Sequence, residues 1–327
     1  MKCFNPPRAY CIVPKLGKEV VTEASKVVYR YCIRTPLYRD FHLSRLTGLD
    51  VRLKLELYQP VRSFKIRGAA NKLSRVSQDT VITASSGNHG IAVAYMAAML
   101  GKKAIVVLPQ NVNPSKLQMI KDMGAEVVFS GTTSDERIKY ASDYSASSGI
   151  PLIPSFDDPE IIGGQGTIGL ELQEQMDLDA VLCPIGGGGL ISGIALSYAG
   201  NRSTSIMGVQ AEGAQSMNLS VHEGKPVTSR SETIADGIMV STPGAINVSI
   251  VKEHVRGILL VSDEEIVEAV KEMWNSSHLL IEPASASTVA ALKRYGQELV
   301  SRGVNRVALI ITGGNVSDKV FRIIAEV

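Results

Sequence analysis

Four short stretches carry residue types that can do chemistry. In Ser63-Phe-Lys-Ile-Arg-Gly-Ala69 a lysine stands between Phe64 and Ile66. An amine kept from water loses its proton more readily, and the neutral form attacks an aldehyde. The plainer reading of Lys65 is a surface lysine beside Arg67 at a helix start. In Thr83-Ala-Ser-Ser-Gly-Asn-His-Gly90, the side chains of Ser85, Ser86, Asn88 and His89 lie between a strand-like run and an alanine-rich helix. Hydroxyls beside the N–H groups of a helix start suit a carboxylate, although a capped helix after a polar turn reads the same way. In Cys183-Pro-Ile-Gly-Gly-Gly-Gly-Leu190 four glycines join an apolar strand to a small-residue helix. Each glycine is entropically expensive to order, and bare backbone N–H groups at a helix's positive end converge well on a phosphate. No Gly-Lys-Ser/Thr follows, which excludes a P-loop, and Ser192 replaces the third glycine of the dinucleotide fingerprint. Finally, Leu309-Ile-Ile-Thr-Gly-Gly-Asn315 ends a strand in a hydroxyl, Thr312, able to meet a heteroaromatic nitrogen.

The elements that must position these groups alternate between strand and helix. Apolar residues Val20, Val21, Ala24, Val27, Val28 and Tyr31 follow helical spacing and predict a core-facing stripe. Strands are expected at Thr80–Ala84, Ala104–Leu108, Ala125–Ser130 and Ile150–Phe156, with helices at Gly90–Leu100, Pro114–Met123 and Ser134–Ala146 between them. That is a four-stranded parallel sheet covered by helices. A second series, from Asp179 onward, includes strands Ile206–Gln210 and Val307–Ile311, and a helix opened by a Ser262/Glu265 capping box. The expected fold class is α/β in two domains, each a mainly parallel twisted sheet flanked by helices. Residues 1–77 and 157–327 form the larger domain and 78–156 a small mobile one.

Composition narrows the function classes. The 327 residues are 45% hydrophobic and 20% charged, with a net charge of +2 and well-mixed signs. That is an ordinary globular composition without the basic stripe that nucleic acid requires. No apolar run is long enough to span a bilayer, and Met1–Pro7 lacks a signal-peptide core, so a cytoplasmic protein is expected. Cys3, Cys11, Cys32 and Cys183 are scattered, which argues against a disulfide framework or zinc site. The histidines are equally dispersed, and no metal is expected.

Taken together and in this order, the Lys65, Ser85–His89, Gly186–Gly189 and Thr312–Asn315 stretches resemble the signature of fold-type II pyridoxal-phosphate enzymes, with a tryptophan-synthase-β-like fold. The subgroup is similar to threonine/serine dehydratases, with serine racemase a near relative. Thr35-Pro-Leu37, Gly164-Gln-Gly-Thr167, Thr233-Ile-Ala-Asp-Gly237 and Ile281-Glu-Pro-Ala284 extend the resemblance over nearly the whole chain. It implies that Lys65 holds pyridoxal 5'-phosphate as a Schiff base, with Phe64 framing it. Gly186, Gly187, Gly188 and Gly189, followed by Leu190, would bind the phosphate. Asn88 would meet the ring's phenolic oxygen, and Thr312 its pyridine nitrogen. Ser85, Ser86, Asn88 and His89 would bind the amino-acid substrate. The implied reaction is β-elimination from L-threonine or L-serine, with Lys65 removing the Cα proton and the enamine hydrolysing to a 2-oxo acid and ammonia. A homodimer or homotetramer is implied as well.

The sequence also departs from that pattern. Val61-Arg62 replaces the usual Thr-Gly, and Ser285-Ala286 replaces the glycine usual after Glu-Pro-Ala, which would crowd the cleft. Arg62 either lowers the pKa of Lys65 or faces solvent, the second being preferred. The acidic pair that holds a divalent ion in serine racemase corresponds to Gln210 and Ser216, poor ligands for such an ion. The sequence ends soon after Asn315, so the C-terminal regulatory domain of the isoleucine-inhibited dehydratases is not expected. Serine racemase activity with Ser86 as second acid–base group, β-replacement chemistry, and a dinucleotide-binding module are the alternatives.

Overall fold

The computed structural model describes residues 14–112, 114–132 and 134–325. Its strands are β1 (Leu37–Arg39), β2 (Asp50–Leu55), β3 (Thr80–Ala84), β4 (Lys103–Leu108), β5 (Glu126–Phe129), β6 (Ala180–Pro184), β7 (Ser205–Ala211), β8 (Gly257–Val261) and β9 (Arg306–Ile311). The helices run α1 (Glu19–Val28), α2 (Phe41–Thr47), α3 (Lys65–Leu73), α4 (Asn88–Met99), α5 (Pro114–Asp122), α6 (Ser134–Ser148), α7 (Pro159–Gln175), α8 (Gly189–Ser197), α9 (Ser216–Glu223), α10 (Ala245–His254), α11 (Asp263–Ser277), α12 (Pro283–Ser301) and α13 (Asp318–Ala325).

Two sheets result. The larger has six strands in the order β1-β2-β9-β6-β7-β8, parallel except for the antiparallel edge strand β1. The smaller is β3-β4-β5, all parallel. Parallel strands covered on both faces must be apolar throughout, and every residue of β6 is buried. The expected fourth strand at Ile150–Phe156 is not one: it contributes a single bridge, Leu152 to Ile82. Pro151 and Pro154 remove backbone donors there, so the ladder cannot extend. The α1 stripe buries Val21, Ala24 and Val28, and the helix ends before Tyr31. The Ser262/Glu265 capping box forms as read. Cys32 and Cys183 are buried free thiols, whereas Cys3, Cys11 and the Met1–Pro7 stretch lie outside the described residues. Among the described residues no helix is long and apolar enough to cross a membrane.

The helix that presents Lys65 is fixed by a sealed ion cluster. Arg67 is fully buried, donating Nε and Nη2 to the two carboxylate oxygens of Glu56 at 2.7 Å each. Its Nη1 donates to Glu171 Oε1 at 2.6 Å and to Thr167 Oγ1 at 3.1 Å. Lys54 completes the set, with Nζ 2.6 Å from Glu171 Oε2 and 2.8 Å from the Thr35 carbonyl. Two cations thus face two carboxylates, drawn from β2, the turn after it, α3 and α7. Burial alone would raise Glu56, but Arg67, Lys54 and the Thr35 hydroxyl hold it below the usual carboxylate range. Breaking such a set leaves buried charge uncompensated. Arg67→Ala is expected to lower unfolding free energy by about 3–5 kcal/mol, measured by denaturant titration of the apoprotein.

Candidate active site

Lys65 is the first residue of α3, with Phe64 before it at the N-cap. Its Nζ donates to the Ser155 carbonyl at 2.9 Å and lies 5.2 Å from the centre of the Phe64 ring. The side chain keeps a partial opening to solvent, yet it sits deep enough that burial lowers the amine to about 8. No carboxylate pairs with it among the described residues. Arg62 is not a cause of the shift: it faces the surface, as preferred, while its guanidinium reaches the Gly314 carbonyl. Burial alone accounts for the lowered amine.

The glycine run joins β6 to α8. Gly188 has φ +100°, the left-handed region, and a Cβ there would lie 2.6 Å from Asn247 Cβ. A Cβ on Gly187 would run into the Phe156 ring. The glycines therefore answer a packing demand as well as leaving backbone exposed. From Gly187 to Ile191 no backbone N–H finds an acceptor among the described residues, as expected where a helix begins without a side-chain cap. Ser155 and Phe156 join this bend to the amine: the first accepts from Lys65 and the second packs on Gly187.

The Ser85–His89 loop links β3 to α4. Ser86 Oγ accepts from Arg137 Nη1 at 3.2 Å, a contact between separate elements that nothing local in the sequence announces. Ser85 Oγ accepts the Gly87 N–H at 3.3 Å. Asn88 Nδ2 lies 2.9 Å from both oxygens of Glu282, and its Oδ1 accepts from Asn315 Nδ2 at 2.8 Å. Burial, with Asp236 adding to it, pushes Glu282 up to about 7 against the pull of those donors. The His89 ring is buried with Nε2 3.2 Å from the Ile153 carbonyl, and burial with the Lys65 charge lowers it to about 3. A neutral ring bonded to a carbonyl carries its proton on Nε2, so His89 offers a carboxylate its backbone N–H and not its imidazole. Thr312 follows β9, with Oγ1 2.9 Å from Ser285 Oγ. Ser285 does not crowd the cleft: it is itself buried and bonded to the strand exit. Gln210 and Ser216 are committed internally, Gln210 Nε2 to the Ala214 carbonyl and Ser216 Oγ to that of Val240.

An amine lowered to about 8, beside a helix start whose amides have no acceptor among the described residues, suits an α/β enzyme that works through a phosphorylated aldehyde. The chain belongs to the pyridoxal-phosphate dependent enzymes, whose family pattern matches residues 28–313. It is 36% identical to the L-threonine ammonia-lyase of Thermotoga maritima over 91% of this chain and 75% of that one. Against the mitochondrial threonine dehydratase of Schizosaccharomyces pombe it is 36% identical over 99% of its own length, but spans only 56% of the relative. Among solved structures, maize serine racemase superposes with a TM-score of 0.89 at 32% identity, covering 94% of this chain and 95% of that one. The cofactor is pyridoxal phosphate.

Two outcomes follow from this geometry. Lys65 in the apoprotein should react with an amine reagent with a midpoint near pH 8, against 10.5 for an unperturbed lysine, as read by peptide mapping across pH. Gly187→Ala should weaken cofactor binding by about tenfold or more, since overpacking of about 1–3 kcal/mol falls on the bend; equilibrium dialysis measures it.

Proposed function

We propose that the protein is an ammonia-lyase acting on L-threonine or L-serine, yielding 2-oxobutanoate or pyruvate plus ammonia. The observation that carries this reading is the half-buried amine of Lys65, which has no carboxylate partner among the described residues, beside a helix start whose amides have no acceptor among them. The residues fit the cofactor on structural grounds: the N–H groups after Gly187 suit its phosphate, Phe64 and Asn88 its ring, and Thr312 its ring nitrogen. Bound pyridoxal phosphate supplies the electron sink that makes the substrate's Cα–H bond acidic.

The chain's own groups do the rest. Lys65, near 8 through burial, removes the Cα proton. The α4 N-terminus, with Ser85, Ser86 and the His89 N–H, receives the carboxylate. Thr312 is neutral and would not hold a proton on the ring nitrogen as a carboxylate would, which would weaken the electron sink and favour prompt loss of the β-hydroxyl, the hydroxyl and the proton taken by Lys65 leaving together as water. Water then hydrolyses the released enamine to the 2-oxo acid and ammonia.

Residues 78–156 form the small domain in this reading and move over the rest. Support comes from their separate sheet and from contacts that cross to the larger one, Lys116 Nζ to Asp236 Oδ2 at 2.9 Å and Asn88 to Glu282. The reading includes a cytoplasmic homodimer or homotetramer, and sedimentation tests the subunit number.

A second reading rests on Ser86. A hydroxyl held by a guanidinium on a different element from Lys65 can return a proton to Cα, giving racemisation. Pyruvate and D-serine measured together from L-serine separate the two activities. Ser86→Ala should abolish D-serine if Ser86 is the second acid–base group. Lys65→Ala is expected to lose 2-oxo acid production and borohydride-stable cofactor attachment, and turnover retained by that variant overturns the assignment.

A further inference from the structure

Gln210 of β7 is uncharged and fully buried, and both polar atoms of its side chain are committed to backbone. Its Nε2 donates to the Ile185 carbonyl at 3.3 Å and to the Ala214 carbonyl at 3.1 Å. Its Oε1 accepts the Asn218 N–H at 2.9 Å. These partners fix which way the amide points. A carbonyl can only accept and a backbone N–H can only donate, so the nitrogen and oxygen cannot be exchanged.

The bonds converge on the glycine bend. Ile185 is the residue before Gly186, and its own N–H donates to the Val209 carbonyl at 2.8 Å. Gln210 therefore ties down the carbonyl from which the bend departs. Asn218 is the third residue of α9, whose N-cap, Gln215, makes no side-chain bond, so Gln210 serves one of that helix's orphan amides from the neighbouring strand. The helix in turn packs on the bend: Met217 Cε lies 2.5 Å from where a Cβ on Gly188 would stand. Ser216 Oγ adds a bond to the Val240 carbonyl at 2.6 Å, and Val240 Cγ2 lies 3.1 Å from where a Cβ on Gly186 would stand. One carboxamide thus joins the root of the bend to the helix packed against it.

A carboxylate could not do this. Facing the Ile185 and Ala214 carbonyls it would set oxygen against oxygen, and a cation would have to bridge them. The carboxamide brings the two protons those carbonyls take, and no ion. We propose that Gln210 is a positioning residue for the cofactor phosphate, an uncharged cross-link that holds the root of the glycine bend in register with α9, so that cofactor retention in this protein needs no divalent cation. This rests on the reading above, in which the amides after Gly187 receive the phosphate.

The test strips the holoenzyme of cofactor and titrates it with pyridoxal 5'-phosphate and with pyridoxal, which has the same ring and aldehyde but no phosphate. Wild type should hold the phosphorylated form equally well in a chelator and in excess Mg²⁺. Gln210→Leu should weaken that form about tenfold, the worth of one buried hydrogen bond, and leave pyridoxal affinity at the wild-type value. Gln210→Glu should lose more at about pH 8 than at about pH 6, each relative to wild type at the same pH. Burial between carbonyls raises an acid's pKa, and only the protonated acid can donate to them. At the higher pH, Mg²⁺ should recover part of that loss. Wild type that loses cofactor to the chelator and regains it with Mg²⁺ overturns the proposal without any variant. A Gln210→Leu protein that binds both compounds as wild type does overturns it, and so does one that loses both alike, since that marks a residue supporting the fold and not the phosphate. Should the leucine variant fail to fold, an equal loss in Gln210→Glu at both pH values, unmoved by Mg²⁺, overturns it as well. Gly187→Ala separates the levels. If it leaves the preference for the phosphorylated form unchanged, the bend does not hold the phosphate and the underlying reading fails. If it reduces that preference while Gln210→Leu does not, the role of Gln210 alone fails.

Discussion

A guanidinium shut away between two carboxylates holds this site together. Arg67 lies two residues beyond Lys65 on α3, so whatever fixes the one fixes the other. Glu56 comes from the turn after β2 and Glu171 from α7, with Lys54 balancing the second carboxylate. Full burial makes the arrangement unforgiving, because each ion has surrendered its water and depends on the others for compensation. The planar fork of arginine uses this well: one side chain bonds two carboxylates, a hydroxyl and a carbonyl, and so sets both the height and the rotation of its helix. The amine of Lys65 is then delivered into apolar surroundings with no ion partner among the described residues. No charge of the cluster contributes to the shift at Lys65, whose amine burial alone lowers to about 8.

The second constraint is that the site is made at strand exits. Gly186 follows β6, Thr312 follows β9 and Ser85 follows β3, all at the carboxyl ends of parallel strands. In such sheets the succeeding helices begin where the strands stop, so helix N-termini gather on that side. The α4 and α8 starts belong to different sheets, and the chain between them returns through Ser155 and Phe156. In the proposed reading, an anionic substrate group and an anionic cofactor group are thereby offered separate helix ends, with the amine near the path between.

Much of this was legible in the sequence, and the physical reasons are particular. The glycine run and the Ser85–His89 loop announce themselves because backbone exposure and helix starts leave local signals. The Lys65 setting was half legible: Phe64 and Ile66 pointed to burial, but on those neighbours alone a surface lysine was the plainer reading. Arg67 was less so: a charged residue beside a lysine reads as solvated unless its partners are known, and Glu171 lies far along the chain. Arg137 was invisible for the same reason, being one cation on a polar helix until the fold sets it against Ser86. The Ile150–Phe156 segment misled because its apolar pattern suits a strand while Pro151 and Pro154 deny it the donors. The His89 ring could not be read either, since the carbonyl that claims it comes from that same segment.

That failed strand has a consequence of its own. Ile153 sends its carbonyl to the Thr83 hydroxyl and the His89 ring at the rim of the small sheet, and its N–H to Ile82. Two residues later Ser155 offers its carbonyl to Lys65, and Phe156 braces the glycine bend. A regular ladder would have absorbed these peptides into the sheet. Cut short by proline, the segment becomes a strap only a few bonds long between the rim and the amine, so a tilt of the three strands is felt at Lys65 as a change in how firmly its nitrogen is held.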